Sequence, residues 1–255
     1  MSRLPAFYAD PALYELIHAE GTDDEVWLLD RLAGIYGNGE RTALEPACGS
    51  GRYLAGLLRR GWTVEGYDLS PAMVRFARER FKKHGPKAVV RVGDMTTYET
   101  KRKFGLVFNL LSTFRHLMSD RDALAHLRRC AASLSPRGVM VLGLDLARYG
   151  HDEPDEEVWS ARGFNHVMMT LPPEAAKRRE RIINFVTTPD GKVRESAYDL
   201  RSYDVAEMRA LLGKSPLRVK AAFGYDGKPA RFGGPMRALW LVLGLKASRR
   251  PRRRA

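Results

Sequence analysis

The feature that most constrains the fold of this chain is the alternation, between residues 41 and 146, of short apolar runs with longer amphipathic segments. Five runs have the length and apolar content of buried strands: ALEPA, TVEGYDL, AVVRVGDM, LVFNLL and VMVLGLDL. Helical spacing of apolar residues marks RYLAGLLRRG and DALAHLRRCAASL, and Ser70-Pro71 predicts the start of a further helix between them. Strands and helices that alternate in this way predict a doubly wound α/β fold, with a parallel sheet covered on both faces.

The pattern differs on either side of this region. Residues 11–36 predict two helices, the second beginning at Thr22. Residues 151–200 are polar, and Pro189-Asp190-Gly191 predicts the turn of an inserted β-hairpin. Asp204 and the glutamate three residues later predict a capping box for one more helix. The last two apolar runs, LRVKAAFGY and RALWLVLGL, are joined by a short glycine-rich connection, which favours an antiparallel pair at a sheet edge.

These patterns predict one domain followed by a tail. The expected parts are N-terminal helices (1–40), a ligand-binding core (41–146), an inserted segment (147–203), a closing helix and strand pair (204–245), and a basic tail (246–255). The net charge is +13, and six of the positive charges lie in the last ten residues. A segment with this much charge and so few apolar residues is expected to be disordered.

Composition also indicates where in the cell the protein is expected to be. No apolar run approaches the roughly 20 residues of a membrane span, so no membrane association is expected. Two cysteines, Cys48 and Cys130, predict neither a disulfide framework nor a metal site. The expected location is therefore the reducing cytoplasm.

The strongest local signal is the sequence LEPACGSGR, from Leu44 to Arg52, between the first predicted strand and the next helix. Glycines at this place allow a ligand to approach the backbone, and the helix N-terminus offers free N–H groups. Asp68 ends the second strand, where a carboxylate can accept hydrogen bonds from two ribose hydroxyls. Asp94 and Asn109 end the third and fourth strands. All of them fall at the carboxyl edge of the predicted sheet, where open α/β sheets bind ligands.

Two phosphate-binding motifs fit this sequence poorly. A dinucleotide motif requires a small residue where Leu54 stands, and the carboxylate of Glu45 would repel a pyrophosphate. The phosphate-cradling sequence G-x-x-x-x-G-K-[ST] is absent. A carboxylate instead suits a nucleoside that carries an amine. The alternative is that Glu45 and Asp68 only cap helices while the glycines only turn the chain.

With these motifs, residues 41–146 resemble the class I S-adenosylmethionine-dependent methyltransferases. The family's acidic residue followed by Gly-x-Gly corresponds to Glu45, Gly49 and Gly51, its ribose-binding acid to Asp68, and its adenine-edge acid to Asp94. The resemblance implies a Rossmann-like sheet with an antiparallel last strand, and N-terminal helices that form a lid. It also implies cofactor contacts at Tyr14, Glu45, Ala47, Gly49, Gly51, Asp68, Leu69, Met73, Asp94, Met95 and Asn109. Tyr8 and Tyr14 would close over the cofactor, or alternatively only pack between helices.

The resemblance implies in-line methyl transfer from S-adenosylmethionine, with S-adenosylhomocysteine as product, to nitrogen or oxygen of a small molecule. A histidine suits removal of the acceptor's proton, because its pKa lies near neutrality. His116, after the fourth strand, is the candidate base, and His166 in the inserted segment is a second one. That segment is also expected to set specificity, through Trp159, Phe164, Met168, Met169 and Tyr198.

Two other functions stay open at this point. The positive charge favours an RNA methyltransferase that binds RNA through the basic tail, although the fourth strand ends in N-L-L-S rather than N-P-P-[FY]. A non-catalytic basic module with a methyltransferase-like fold is the other alternative. The inserted hairpin also offers an edge that could pair two copies, so a homodimer is one expectation.

Overall fold

The structure is a computed structural model that describes residues 6–247, and within them two sheets. The strands are β1 Thr42–Pro46, β2 Thr63–Asp68, β3 Ala88–Val92, β4 Phe104–Asn109, β5 Leu134–Asp145, β6 Asp155–Ala161, β7 Phe164–Thr170, β8 Arg179–Thr187, β9 Val193–Arg201, β10 Leu217–Phe223, β11 Pro229–Ala230 and β12 Ala238–Leu245. The α-helices are α1 Pro11–His18, α2 Thr22–Tyr36, α3 Arg52–Arg59, α4 Pro71–Phe81, α5 Asp120–Ser133 and α6 Val205–Lys214. Short 3-10 helices span Ala6–Ala9, Gly85–Lys87 and Thr113–His116.

The central sheet has the order β11-β10-β12-β5-β4-β1-β2-β3. Its strands from β1 to β5 pair in parallel, while β12 runs antiparallel to both β5 and β10. This arrangement confirms the predicted doubly wound sheet with an antiparallel last strand. The chain first builds outward from β1 through β2 to β3 and then returns to place β4 on the other side of β1. Loops diverge at that switch point and leave a crevice at the carboxyl edge.

Both faces of the central sheet are buried because its strands are apolar on both sides. In β4, Leu106 and Phe108 pack with α2, α3 and α4, whereas Val107 packs on the opposite face with α5 and α6. The start of α4 is confirmed, with Ser70 Oγ accepting from the Met73 N–H. The capping box of α6 is also confirmed, between Asp204 and Glu207.

The inserted segment differs from the predicted hairpin. The hairpin is present as β8 and β9, which pair as far as Thr187 and Val193 around the expected turn. However, β6 and β7 precede it and complete an antiparallel sheet of order β6-β7-β8-β9. The turn from β6 to β7 consists of Arg162 and Gly163, both with positive φ, as in the tight turns that suit twisted hairpins. The prediction missed this turn because an arginine stands where asparagine or aspartate usually signals it.

A buried ion pair fastens the second sheet to the first. Arg115, from the 3-10 helix after β4, donates through a terminal guanidinium nitrogen to Glu180 in β8, and both side chains are almost fully buried. The Nε–H of Arg115 also donates to the carbonyl oxygen of Arg201 at the end of β9, at 3.0 Å. One side chain therefore holds two strands of the second sheet.

The tail expected at 246–255 is only partly within the described residues. The ammonium of Lys246 donates to the carbonyl oxygens of Leu212, Gly213 and Ser215 at 3.0, 2.7 and 2.6 Å, where a cation is favoured at the end of α6. Lys246 thus belongs to the folded part of the chain. The rest of the tail that was expected to be disordered, residues 248–255, lies outside the described residues. None of the described helices combines the length and the apolar character needed to cross a membrane.

The buried ion pair leads to a stability prediction. Replacing Arg115 with alanine leaves the Glu180 carboxylate buried without its partner, so the free energy of unfolding should fall by about 3–5 kcal/mol. Replacing both residues, as in Arg115→Met with Glu180→Leu, should cost much less. Urea unfolding followed by circular dichroism measures both changes. Arg181→Ala, on the same strand but half exposed, is the matched control and should change stability by less than about 1 kcal/mol. If Arg115→Ala lowered the free energy of unfolding by less than about 1 kcal/mol, the prediction would be wrong.

Candidate functional site

The turn between β1 and α3 lies at the switch point and is shaped by left-handed backbone. Ala47, Gly49 and Gly51 have φ of 54°, 51° and 73°. A Cβ at Gly51 would lie 2.9 Å from the Phe81 ring, so glycine is needed there for packing as well as for conformation. At Gly49 the nearest atom to such a Cβ is Tyr14 Cε1, at 3.5 Å. The ring of Tyr14 therefore lies over the turn, where the lid was predicted.

The carboxylate of Asp68 joins this turn to the one after β2. Its Oδ2 accepts from the Gly49 N–H at 2.8 Å, and its Oδ1 accepts from the Ser70 N–H, also at 2.8 Å. Burial raises the pKa of Asp68, while the two N–H donors oppose that rise. Each carboxylate oxygen keeps a further lone pair, so the group can still accept hydrogen bonds from a ligand diol.

Glu45 and Asn109, on the neighbouring strands β1 and β4, each leave a buried acceptor atom unused. Glu45 Oε2 and Asn109 Oδ1 have no hydrogen-bond partner among the described residues, although the side-chain amide of Asn109 donates to the Pro46 carbonyl at 3.0 Å. Both residues line a small cavity of about 20 Å³. An unsatisfied buried acceptor costs about 1–3 kcal/mol, so two of them on one cavity require a hydrogen-bond donor there, either a ligand or a water molecule.

Burial raises the pKa of Glu45 well above its usual range, and the nearby guanidinium of Arg52 partly offsets that effect. Arg52 lines the same cavity and was not among the predicted site residues. Its guanidinium donates to Thr22 Oγ1 at 2.5 Å, lies 3.3 Å from a carboxylate oxygen of Glu25, and packs 3.8 Å from the centre of the Tyr53 ring. The cavity thus has the carboxyl group of Glu45 and the guanidinium of Arg52 side by side, so a polar group that enters it meets both. The signal in the sequence was the arginine directly after Gly51.

The N-terminal helix α1 is tied to the glycine turn. Ser50, between the two glycines, donates from Oγ to the Glu15 carboxylate, and that carboxylate also pairs with Arg80 of α4 at 2.5 Å. Glu15 therefore links α1, the turn and α4.

The remaining predicted cofactor residues lie in the turn after β2, in the first turn of α4 and in the turn after β3. Leu69 is 40% exposed, whereas Met73 is 2% exposed and packs inside the fold. Asp94 is exposed, and its Oδ1 accepts from the backbone N–H and the hydroxyl of Thr96 at 2.7 and 2.6 Å. The carbonyl oxygen of Met95 lies 3.1 Å from Nδ1 of His126. Leu69 and Asp94 are thus accessible to a ligand, while the Met73 side chain is not.

His116 lies behind two tyrosines rather than on an open surface. Its Nε2 is 3.0 Å from the hydroxyl of Tyr8, which donates in turn to the hydroxyl of Tyr198 at 3.4 Å. Burial, with a smaller contribution from Arg115, lowers the pKa of His116 to about 4, so the ring is neutral at neutral pH. His166 is buried within the second sheet, with Nε2 2.9 Å from Asn184 Oδ1 and its ring stacked on Trp159.

A larger cavity of about 500 Å³ lies between the carboxyl edge of the central sheet and the second sheet, and we call it the inter-sheet cavity. Leu111 and Ser112, just after β4, line it in left-handed conformations with φ of 50° and 54°, a strain that clusters at functional sites. Of the residues expected to set specificity, Trp159, Met168 and Tyr198 line this cavity, whereas Phe164, Met169 and the second candidate base His166 do not. Other lining residues are Tyr8, Tyr14, Thr113, Arg115, Asp145, Asp152, Glu153, Asp155, Glu157, Glu180, Tyr225 and Arg237.

Comparison with known proteins agrees with this geometry. Residues 43–138 match the family model of the methyltransferase domain. The dTDP-3-amino-3,6-dideoxy-alpha-D-glucopyranose N,N-dimethyltransferase of Streptomyces fradiae is 35% identical over 133 residues, which are 51% of this chain and 51% of that protein. The chain thus matches about half the length of this curated relative.

Solved structures share the fold over nearly the whole chain. The CcbJ methyltransferase from Streptomyces caelestis is similar with a TM-score of 0.76 and 17% identity, over 94% of this chain and 98% of that one. Streptomyces venezuelae DesVI is similar with a TM-score of 0.71 and 22% identity, over 91% and 95%. Residues 43–138 are thus similar to a methyltransferase domain, and the chain shares its fold with S-adenosylmethionine-dependent methyltransferases of known structure.

Proposed function

We propose that this chain transfers a methyl group from S-adenosylmethionine to nitrogen or oxygen of a small molecule. The observation that carries the proposal is the pair of unpartnered buried acceptors, on Glu45 and Asn109, beside the Arg52 guanidinium. These groups fit the amino acid end of the cofactor, and Asp68 at the same sheet edge fits its ribose. The sequence relative is named as an N,N-dimethyltransferase of an amino sugar, which favours nitrogen as the acceptor atom.

The bound cofactor supplies a methyl group activated by a sulfonium ion. The residues of this chain then have to align the acceptor with that group and exclude water, which can contribute about 7–11 kcal/mol to lowering the barrier. Tyr14 over the glycine turn and the second sheet across the inter-sheet cavity are placed to exclude water. Burial raises the pKa of the thiols of Cys48 and Cys130, so both stay neutral and neither acts as a nucleophile in this proposal.

The candidate base reaches the inter-sheet cavity through Tyr8. Tyr8 lines the cavity and His116 does not, but the two are hydrogen-bonded at 3.0 Å. For His116 to act as the base, the Tyr8 hydroxyl has to donate to Nε2 rather than to Tyr198, so that Tyr8 passes its proton to the ring as it takes one from the acceptor; the pKa of about 4 makes the ring a weak base for this step. The exposed histidine His151 has no such contact with the cavity.

The other expectations remain proposals. They are a cytoplasmic location, a homodimer and an RNA acceptor. An RNA acceptor would be favoured by an affinity for tRNA that weakens with salt and survives removal of residues 248–255. That truncation is preferable to one beginning at Lys246, because Lys246 caps α6.

The cofactor proposal predicts the effect of one substitution. Asp68→Asn removes the charge that would accept the ribose hydroxyls, so affinity for S-adenosylmethionine should fall about 10- to 100-fold, as expected for hydrogen bonds to a charged group. Calorimetric titration measures this, with a thermal melt to verify folding. Asp23→Asn, at an exposed ion pair on α2, is the matched control and should bind like the natural chain. Equal affinities in a folded Asp68→Asn variant would contradict the assignment of Asp68.

The buried state of His116 predicts a dependence of stability on pH. Its pKa is about 4 in the folded chain and near 6.5 when unfolded, so the unfolded state binds more protons between these values. The free energy of unfolding should therefore fall as the pH drops from about 6.5 to 4, and His116→Gln should make that fall smaller. Urea unfolding across this pH range measures the change, and NMR titration of the ring gives its pKa directly. His151→Gln is the control; a His116 ring that titrates near 6.5 would contradict the prediction.

A further inference from the structure

The inter-sheet cavity is acidic in a chain whose net charge is +13. Two arginines, Arg115 and Arg237, are the basic residues among its lining side chains, apart from His18. The carboxylates that line it are more numerous: Asp145, Asp152, Glu153, Asp155, Glu157 and Glu180. The charge of the cavity is thus opposite to that of the whole chain.

The two arginines are already occupied. Arg115 pairs with Glu180, and Arg237 pairs with Asp152 at 2.7 Å while donating through Nε to the Leu146 carbonyl at 2.8 Å. These pairs cancel two of the negative charges. The other lining carboxylates are Asp145, Glu153, Asp155 and Glu157. No lysine, arginine or histidine of the described chain lies within ion-pair distance of any of these four.

Three of these carboxylates line the cavity from opposite sides, Asp145 from a half-buried position and Asp155 and Glu157 from solvent-exposed ones. Asp145 ends β5, next to β4 in the central sheet, and its carboxylate accepts from Ser112 Oγ at 2.7 Å. Across the cavity, Asp155 and Glu157 are two residues apart in β6, so their side chains share a face of the second sheet. Partial burial raises the pKa of Glu157, and the neighbouring carboxylates of Asp155 and Asp145 add to that rise.

The inter-sheet cavity adjoins the small cavity at Glu45, where the cofactor is proposed to bind. Tyr14, Leu111 and Thr113 line both the inter-sheet cavity and the small cavity at Glu45. A molecule in the inter-sheet cavity would therefore lie next to the amino acid end of the cofactor. The aromatic walls contributed by Trp159, Tyr198 and Tyr225 suit a sugar ring or a cation, since both pack well on aromatic faces.

We infer that the acceptor is a sugar-like amine that carries a further ammonium group, held by Asp145, Asp155 and Glu157, and no phosphate. The inference rests on the proposed function and names the class of acceptor. The nitrogen that takes the methyl group must be neutral to act as a nucleophile, so a group that pairs with the carboxylates has to be a separate ammonium. A nucleotide-linked sugar would instead place a diphosphate near this acidic wall, where like charges repel. The Streptomyces fradiae relative is named for a dTDP-linked amino sugar, so the acceptor inferred here differs from the one in that name.

The test compares two probes by calorimetry, in the presence of saturating S-adenosylhomocysteine. Kanamycin A, an aminoglycoside with several amino groups, represents the inferred class, and a dTDP-linked amino sugar represents the nucleotide-linked class. Kanamycin A should bind the more tightly, and its affinity should fall as salt is added. Glu157→Gln should weaken its binding at least about tenfold, as expected for loss of a charged partner.

The matched control is Glu156→Gln, the neighbouring residue on the same strand, which does not line the cavity. Its affinity for kanamycin A should stay within about twofold of the natural chain, a difference too small to correspond to a lost ionic contact. Tighter binding of the nucleotide-linked sugar, no binding of kanamycin A, or equal effects of the two substitutions would each overturn the inference. In those cases retained binding of S-adenosylhomocysteine leaves the proposed function standing. Loss of that binding in the natural chain would count against the proposed function itself.

Discussion

The buried ion pair between Arg115 and Glu180 is the interaction on which the arrangement of the two sheets depends. Arg115 lies directly after the strand that ends at the site, and Glu180 lies in the inserted sheet. Removing two charges from water is costly, and the cost is offset only when geometry and further hydrogen bonds are favourable. The additional bond from Arg115 to the Arg201 carbonyl meets that condition. This contact, together with the ion pairs of Arg178 and Arg201 with Asp120 at the start of α5, holds the second sheet opposite the first and so gives the inter-sheet cavity its two walls.

Much of the fold could be predicted from local patterns in the sequence. The parallel core follows from apolar runs that are buried on both faces, and the caps at Ser70 and Asp204 follow from side chains that satisfy free N–H groups near them in the chain. The hairpin of β8 and β9 was also predicted from its turn residues. By contrast, β6 and β7 escaped prediction because β6 is largely exposed and its turn begins with Arg162 rather than asparagine or aspartate. Weak burial removes the alternation on which strand prediction depends.

In the candidate site, too, some residues could be predicted from local sequence patterns and others could not. Glu45, Gly49 and Asp68 could be predicted because their spacing relative to strand ends is itself the signal. The role of Arg52 could not, because it depends on contacts with residues far away in the chain, such as Glu25. Tyr198 was expected to line the substrate cavity, but its contact with Tyr8 could not be predicted. The position of His116 behind Tyr8 could not be predicted either, because sequence places a residue on an element but not behind another side chain. The acidity of the inter-sheet cavity arises in the same way, from carboxylates that the fold brings together out of β5, β6 and the loop before β6.

The contact of Ser50 and Arg80 with Glu15 has a thermodynamic consequence. Through this carboxylate the N-terminal helix shares hydrogen bonds with the turn that would hold the cofactor. If the docked helix strengthens binding at that turn, binding must strengthen the docking of the helix by the same free energy, because linkage between two equilibria is reciprocal. The first helix of the chain would then report on the occupancy of the site, and its protection from exchange or proteolysis would follow the concentration of ligand.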